Sequence, residues 1–309
     1  MNATVYRSTG SWYDLKDDAG QAWKARIKGV FKIDGITSTN PIAVGDRVYF
    51  DVDNENEHTG IISSIGDRHN YISRQSPSHR KQHHIVASNL DQAMVIATIR
   101  DPRTSTGFID RFLVATEAYH VPAILLINKM DAWKEKDRLL YEEWKARYVA
   151  IGYQVMAVSV QANEGMEDVM QLLQDKTTLL SGHSGVGKSS LLNALVPEWK
   201  LRTGEVSGWS GKGMHTTTFA EMFDLPFGGR VIDTPGIREF GIVDIDREEL
   251  SHYFPEMREL IHDCQFNNCL HINEPGCAVK KAVEEGRISS DRYFSYLNIL
   301  ESIPENDWE

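Results

Sequence analysis

Disulfide-forming cysteine is nearly absent from this sequence. The 309 residues contain three cysteines, an odd count, which leaves no room for the disulfide framework of a small secreted protein. Long hydrophobic runs are missing too. The longest, such as VPAILLIN at 121–128, falls far short of the roughly 20 apolar residues that span a bilayer. The first twenty residues have no basic start followed by an apolar stretch, so no secretory leader is expected, and a cytoplasmic, membrane-free address is. Excess positive charge is lacking as well. Lys and Arg number 33 against 44 Asp and Glu, a net charge of -11, which argues against a general nucleic-acid binder but leaves room for a local basic patch. Internal repeats and extended low-complexity tracts are not found.

What is present fits a soluble globular protein of two or three domains, with 41% hydrophobic and 25% charged residues. The acid is unevenly placed. Residues 1–75 carry 9 basic and 10 acidic groups, residues 76–236 carry 17 and 18, and residues 237–309 carry 7 and 16. Residues 1–72 alternate apolar and polar positions in WKARIKGVFKI and GDRVYFDV, with GIISSI as a further strand and DG and VGD as turns. Several short strands in so little chain predict a small closed β-barrel, of which the OB-fold is one form. RQSPSHRKQHH, 74–84, reads as a linker or exposed loop. From LDQAMVIATI onward, buried-strand candidates alternate with amphipathic helices, the pattern of a parallel α/β sheet. Beyond about residue 240 the pattern turns helical, with REELSHYFPEMRELI and DRYFSYLNIL on either side of the cysteines.

Gly182-His183-Ser184-Gly185-Val186-Gly187-Lys188-Ser189, followed by Ser190, fits the phosphate-binding pattern G-x-x-x-x-G-K-S, with a strand before it and a helix after it. Glycines allow the loop to turn its N–H groups inward toward phosphate oxygens, and the helix N-terminus adds positive potential. Lys188 is expected at the β- and γ-phosphates and Ser189 on Mg²⁺. The base is specified upstream. Asn128-Lys129-Met130-Asp131 ends an apolar strand and fits N-K-x-D. A carboxylate at Asp131 accepts from guanine N1–H and its exocyclic amine together, and adenine offers no such pair. Asn128 is expected to hold the base and neighbouring loops, and the Lys129 stem to cover the base face. The loop SVQANEG, from Ser159, resembles the segment of GTPases that offers a backbone N–H to guanine O6, with Val160 where alanine is more usual.

Asp233-Thr234-Pro235-Gly236 fits D-x-x-G, with Asp233 reaching Mg²⁺ through water and the Gly236 N–H meeting the γ-phosphate. Between it and the phosphate loop lies HTTT. One of these threonines is expected to close over Mg²⁺. Thr217 is the leading choice, with Thr216 and Thr218 open. Ile237 stands where many GTPases carry a glutamine that orients water, so intrinsic hydrolysis is expected to be slow. His215 is a candidate helper, with an ordinary exposed histidine as the alternative. The base motifs thus precede the phosphate loop, and D-x-x-G comes last. That is the order of a GTPase whose chain has been cut and rejoined. It places the segment after D-x-x-G directly before the tail, which suggests that switch movement passes to residues 237–309.

Cys264-x4-Cys269-x-His271-x5-Cys277 supplies three thiolates and an imidazole, a full tetrahedral shell for one structural Zn²⁺. His262, close by, reads as a surface residue.

Taken together, NKMD, GHSGVGKSSLLNAL, GKGMHTTT, DTPGIREF and CQFNNCLHINEPGCAVK, with VGDRVYF in the barrel, resemble the ribosome small-subunit-dependent GTPase A family of bacteria. The resemblance covers nearly the whole chain. It implies an N-terminal OB-fold (1–72), a central circularly permuted P-loop GTPase domain (73–238) and a C-terminal, mostly helical zinc domain (239–309). It implies GTP hydrolysis with Mg²⁺ late in maturation of the small ribosomal subunit, stimulated by that subunit, and contact with ribosomal RNA through the barrel and zinc domain. A monomer is expected. The competing reading is an RNA-binding assembly scaffold with little turnover. Met214, where the family often has arginine, and the acidic tail are departures from the pattern.

Overall fold

The protein is described by a computed structural model covering residues 1–27, 41–75, 83–199, 220–234 and 245–304. Strands β1 (Asn2–Ser8), β2 (Tyr13–Asp17), β3 (Ala22–Ile27), β4 (Arg47–Asn54) and β5 (Thr59–Ile65) form a closed barrel in the order β1-β2-β3-β5-β4-β1. The β3–β5 pair is parallel and the remaining pairs antiparallel, an OB-type barrel. Alternation along the strands turns Ala3, Val5, Tyr13, Leu15, Trp23, Val48, Phe50 and Ile62 inward to form its core.

A hairpin of β6 (Tyr71–Gln75) and β7 (His83–Ser88) follows. The expected linker at 74–84 is therefore strand at both described ends, and residues 76–82 lie outside the described set. Polar composition suggested a loop there, but backbone pairing across the hairpin satisfies residues 74, 75, 83 and 84 regardless of side-chain polarity. The hairpin is fastened to the barrel. Val44 bridges Ala87, and the Ser88 N–H donates to the Val44 carbonyl at 2.9 Å. Asp46, fully buried, accepts from Arg68 Nε and Nη2, each at 2.6 Å, and from the Ser88 hydroxyl at 2.6 Å. A Cβ on Gly45 would lie 2.1 Å from the Ser88 carbonyl oxygen, and its φ is +94°, so only glycine lets these two segments approach.

The α/β region contains β8 (Gln92–Ala97), α1 (Thr106–Ala118), β9 (Ala123–Ile127), α2 (Glu135–Ala150), β10 (Gln154–Ala157), α3 (Met166–Leu173), β11 (Thr177–Ser181), α4 (Lys188–Leu195), β12 (Glu221–Asp224) and β13 (Arg230–Asp233). The sheet order is β10-β9-β8-β11-β13-β12. All neighbours are parallel except β12 against β13. Alternate residues of β8 enter opposite cores. Ala93, Val95 and Ala97 meet Phe112 and Leu113 of α1 and Trp144 and Tyr148 of α2, and Met94 and Ile96 meet Val169 and Leu173 of α3 and Leu191 and Leu192 of α4. Burial on both faces explains why this strand reads as an unbroken apolar run. β12 also pairs with β1 of the barrel through Arg7 and Glu221, so one sheet of eleven strands runs through both regions.

The tail is helical, but its first part is broken. Across REELSHYFPEMRELI, where the pattern is helical, the structure has a 3₁₀ turn Leu250–Tyr253, a short α5 (Pro255–Arg258) and a second 3₁₀ turn Ile261–Asp263. Pro255 lacks the N–H that would continue a helix from the first turn, and it opens α5 instead. After the cysteines come α6 (Ala278–Glu284) and α7 (Ser290–Ser302). The tail's core, including Phe254, Met257, Tyr296 and Ile299, also takes in Val114 of α1.

Candidate functional site

The five parallel strands end on one edge of the sheet, and the described residues of the predicted nucleotide site lie at those strand ends or just after them. Asn128 follows β9, Ser159 follows β10, Gly182 follows β11, and Asp233 closes β13. The chain runs outward from β8 to β9 and β10, then returns to β11 on the other side of β8. The crevice between strands whose connections diverge in this way is where open α/β sheets bind ligands. Because strand neighbours in space do not depend on where the chain begins, permuting the order of the motifs leaves the crevice intact.

Asn128 ties the two halves of the site together. It is 3% exposed. Its Nδ2 donates to the Val186 carbonyl in the phosphate loop at 2.9 Å. Its Oδ1 accepts from the Lys129 N–H at 2.8 Å and the Val160 N–H at 3.3 Å. The amide thus joins the loops after β9, β10 and β11. The Val160 side chain packs on the α3–α4 core, so valine in place of alanine does not disturb this backbone contact. Asp131 is exposed, and its Oδ1 accepts from the Ser159 hydroxyl at 2.5 Å. That hydroxyl in turn accepts from the Ala162 N–H at 3.0 Å. Met130 is half-buried, its N–H bonded to the Val158 carbonyl at 3.1 Å.

The phosphate loop curls as its glycines allow. Gly182, Gly185 and Gly187 have φ of 144°, 81° and 102°. A Cβ on Gly187 would lie 2.3 Å from Asn128 Nδ2, and one on Gly182 2.3 Å from the Ile96 carbonyl oxygen. Val186 is fully buried, Ser184 and Gly185 are exposed at the crest, and Ser189 and Ser190 are half-buried in the first turn of α4. The His183 ring packs on Phe108 of α1 with centroids 3.8 Å apart. The Lys188 ammonium donates to the carbonyls of Gly182 and His183, the latter at 2.9 Å. Burial pushes the Lys188 pKa down, and Asp233 opposes that shift. Burial pushes the Asp233 carboxyl up, with Lys188 and the Thr234 N–H acting against it. Asp233 Oδ1 is buried with no hydrogen-bond partner among the described residues. An orphaned acceptor beside the phosphate loop fits a hydrated divalent cation. His215, Thr217 and Gly236, together with Thr216, Thr218 and Ile237, lie outside the described residues.

In the tail, the ligand atoms of Cys264, Cys269, His271 and Cys277 all fall within 4.8 Å of one another. His271 Nδ1 lies 3.7 Å from Cys264 Sγ and 3.4 Å from Cys277 Sγ. Tetrahedral Zn–S and Zn–N bonds set an S···N edge of about 3.5 Å, so the four residues fit that ion. His271 adopts the left-handed backbone region, with φ of 58°, and Cys277 caps α6 by accepting from the Lys280 N–H at 3.4 Å. Burial raises the Cys277 thiol and pushes Cys269 up to about 12, a cost that a coordinated cation removes. His262 is exposed and not part of the cluster.

Comparison with known proteins identifies the family. The family model for the RsgA GTPase matches residues 65–243, and that for the RsgA N-terminal domain matches residues 2–62. The chain belongs to the RsgA GTPase family. It is a GTPase of circularly permuted fold with an N-terminal five-stranded barrel and a helical tail. The small ribosomal subunit biogenesis GTPase RsgA of Christiangramia forsetii is 49% identical over 307 residues, covering 99% of this chain and 98% of the relative. Its counterpart in Bacteroides fragilis is 50% identical over 308 residues, covering 100% and 99%. Among solved structures, YjeQ from Thermotoga maritima matches with a TM-score of 0.78 at 32% identity, covering 97% of each chain. YloQ, a circularly permuted GTPase, matches with a TM-score of 0.73 at 32% identity, covering 98% of this chain and 96% of that one.

Two features of the site carried no sequence signal. Phe108 reads as an ordinary core residue of an amphipathic helix, yet it supports His183. Residues 98 and 99 belong to the buried-strand candidate LDQAMVIATI and nothing in 100–104 signals a site, yet the strand ends at Ala97, Pro102 packs on Gly185 and the Asp101 carbonyl accepts from Lys129.

Proposed function

We propose that this chain hydrolyses GTP during late maturation of the small ribosomal subunit, is stimulated by that subunit, and contacts ribosomal RNA through the barrel and the zinc domain. It works in the cytoplasm, as a monomer. Among the described residues no helix is long and apolar enough to cross a membrane. The domains run 1–72, 73–238 and 239–309. The observation that carries the reading is the Asn128 side chain, which binds the base loops to the phosphate loop across one crevice.

In this reading Asp131 recognises the guanine edge, held in place by Ser159. The amides of 182–189 and Lys188 hold the phosphates. When Mg²⁺ is bound, it neutralises charge on the β- and γ-phosphates. Ser189, Thr217 and Asp233 would hold it, and Gly236 would offer its N–H to the γ-phosphate. Isoleucine at 237 has no side-chain group to orient water, so intrinsic turnover is slow, and His215 or the bound subunit supplies the missing orientation. Cys264, Cys269, His271 and Cys277 would hold one structural Zn²⁺, which would tie the loop before α6 to the tail's hydrophobic core.

Turnover of GTP measured with and without purified small subunits tests the proposal. Stimulation that disappears in Lys188→Ala supports it. Equal turnover in both conditions favours an RNA-binding scaffold that holds nucleotide without using it.

A further inference from the structure

The loop at 98–104 lies between the two ends of the nucleotide crevice and is closed on itself. The Thr98 N–H donates to Thr104 Oγ1 at 3.0 Å, and the Thr104 N–H donates back to the Thr98 carbonyl at 2.9 Å. The Thr98 hydroxyl donates to the Pro102 carbonyl at 2.5 Å. Both threonines are buried, at 0% and 1% exposure, so the bonds between them are shielded from water. The loop is braced on both sides. A Cβ on Gly185 would stand 3.4 Å from Pro102 Cδ, which puts the loop against the phosphate-binding turn. On the other side, Arg100 pairs with Asp137 of α2 at 3.3 Å. From this support the Asp101 carbonyl accepts from the Lys129 ammonium at 2.5 Å.

We propose that loop 98–104 is a positioning element for nucleotide binding, with Thr98 and Thr104 as positioning residues that act through Lys129. The proposal rests on the guanine-nucleotide reading above and adds a further part to that site. A lysine side chain has many rotamers and loses much entropy when laid over a base. An acceptor already fixed at the far end of the stem removes that cost from binding. Charge-assisted hydrogen bonds are also stronger than neutral ones. The loop acts on the face of the base, whereas Asp131 reads its edge. Loosening the loop therefore weakens all purine nucleotides that fit the crevice and leaves selectivity among them unchanged.

The test measures GDP affinity and release in full-length wild type, Thr104→Val, Lys129→Met and the double variant. Each single change is expected to weaken GDP about fivefold to tenfold, mainly through faster release, and the double variant is expected to be no weaker than the weaker single. The GDP-to-IDP affinity ratio stays at the wild-type value, since the amine missing from inosine is read by Asp131. In wild type, GDP slows hydrogen exchange of the amides of residues 99, 100, 101 and 103, and in Lys129→Met that protection is lost. Multiplying effects in the double variant, undiminished affinity in a folded Lys129→Met, or protection that survives Lys129→Met each overturn the proposal. Wild type that binds ADP as tightly as GDP sinks the underlying guanine reading instead, and the exchange measurement tells the two failures apart.

Discussion

Replacing Arg292 with methionine removes a buried charge that joins the tail to the GTPase domain. Arg292 lies on α7 with its side chain 1% exposed, beside Asp110 of α1 at 1% and Glu256 of α5 at 8%. Its Nη1 donates to Asp110 at 2.7 Å, and its Nε and Nη2 donate to Glu256 at 2.7 and 3.2 Å. Its guanidinium carbon stands 4.6 Å over the Phe254 ring, and the Tyr148 hydroxyl donates to the same Asp110 oxygen at 2.9 Å. Methionine keeps much of the volume but leaves two buried carboxylates without a counter-charge. Breaking a buried pair in this way costs about 3–5 kcal/mol. At a urea slope of about 1–3 kcal/mol per molar, the midpoint falls by roughly 1–5 M. Equilibrium urea unfolding measures the loss, and hydrogen exchange locates it in residues 290–302. A companion variant, Arg292→Met with Asp110→Asn and Glu256→Gln, is expected to recover most of the stability, because no unpaired charge remains. A single variant that loses less than about 1 kcal/mol, with unchanged exchange along α7, would refute the view that this ion cluster clamps the tail.

Gly187→Ala places a methyl 2.3 Å from Asn128 Nδ2 at a φ of +102°. It is expected to displace the Asn128 amide and weaken guanine nucleotides at least tenfold, read by titration with labelled GDP. Asp224 accepts from the Tyr6 hydroxyl at 2.6 Å and from the Lys16 ammonium, linking barrel to sheet. Although burial pushes its pKa up, the Lys16 and Tyr6 bonds outweigh this and hold it below the usual carboxylate range. The stability it adds is therefore complete above about pH 4, where the unfolded carboxyl is ionised, and is lost as pH falls through the lower folded value. Because the pair is 37% and 38% exposed, Asp224→Asn is expected to cost no more than about 1 kcal/mol at pH 7. That difference should vanish in melts taken well below pH 4. Cys269→Ala is expected to release zinc and loosen the tail. Retained stoichiometric metal by elemental analysis, with an unaltered melt, would contradict the ligand set.

The residue order alone determined a good deal about this protein. G-x-x-x-x-G-K-S and N-K-x-D are legible because they constrain backbone conformation and hydrogen-bonding chemistry within a few residues. Gly182, Gly185 and Gly187 are where they are because the turn needs positive φ, and that need is local. The same holds for the Cys264–Cys277 spacing and for the two-residue alternation of the barrel strands. The tail's broken helix was less legible. The apolar pattern of 247–261 is helical, but Pro255 and packing against α1 cut it into short turns. The tertiary structure alone decided that Asn128 crosses to Val186, that Phe108 supports His183, that loop 98–104 reaches Lys129, and that Arg292 finds Asp110, which lies 182 residues away. Each of these contacts joins segments that are distant in the chain, so its existence depends on sheet order and helix docking. No window of sequence contains that information. The buried partner exerts its force only after the chain has brought both groups out of water.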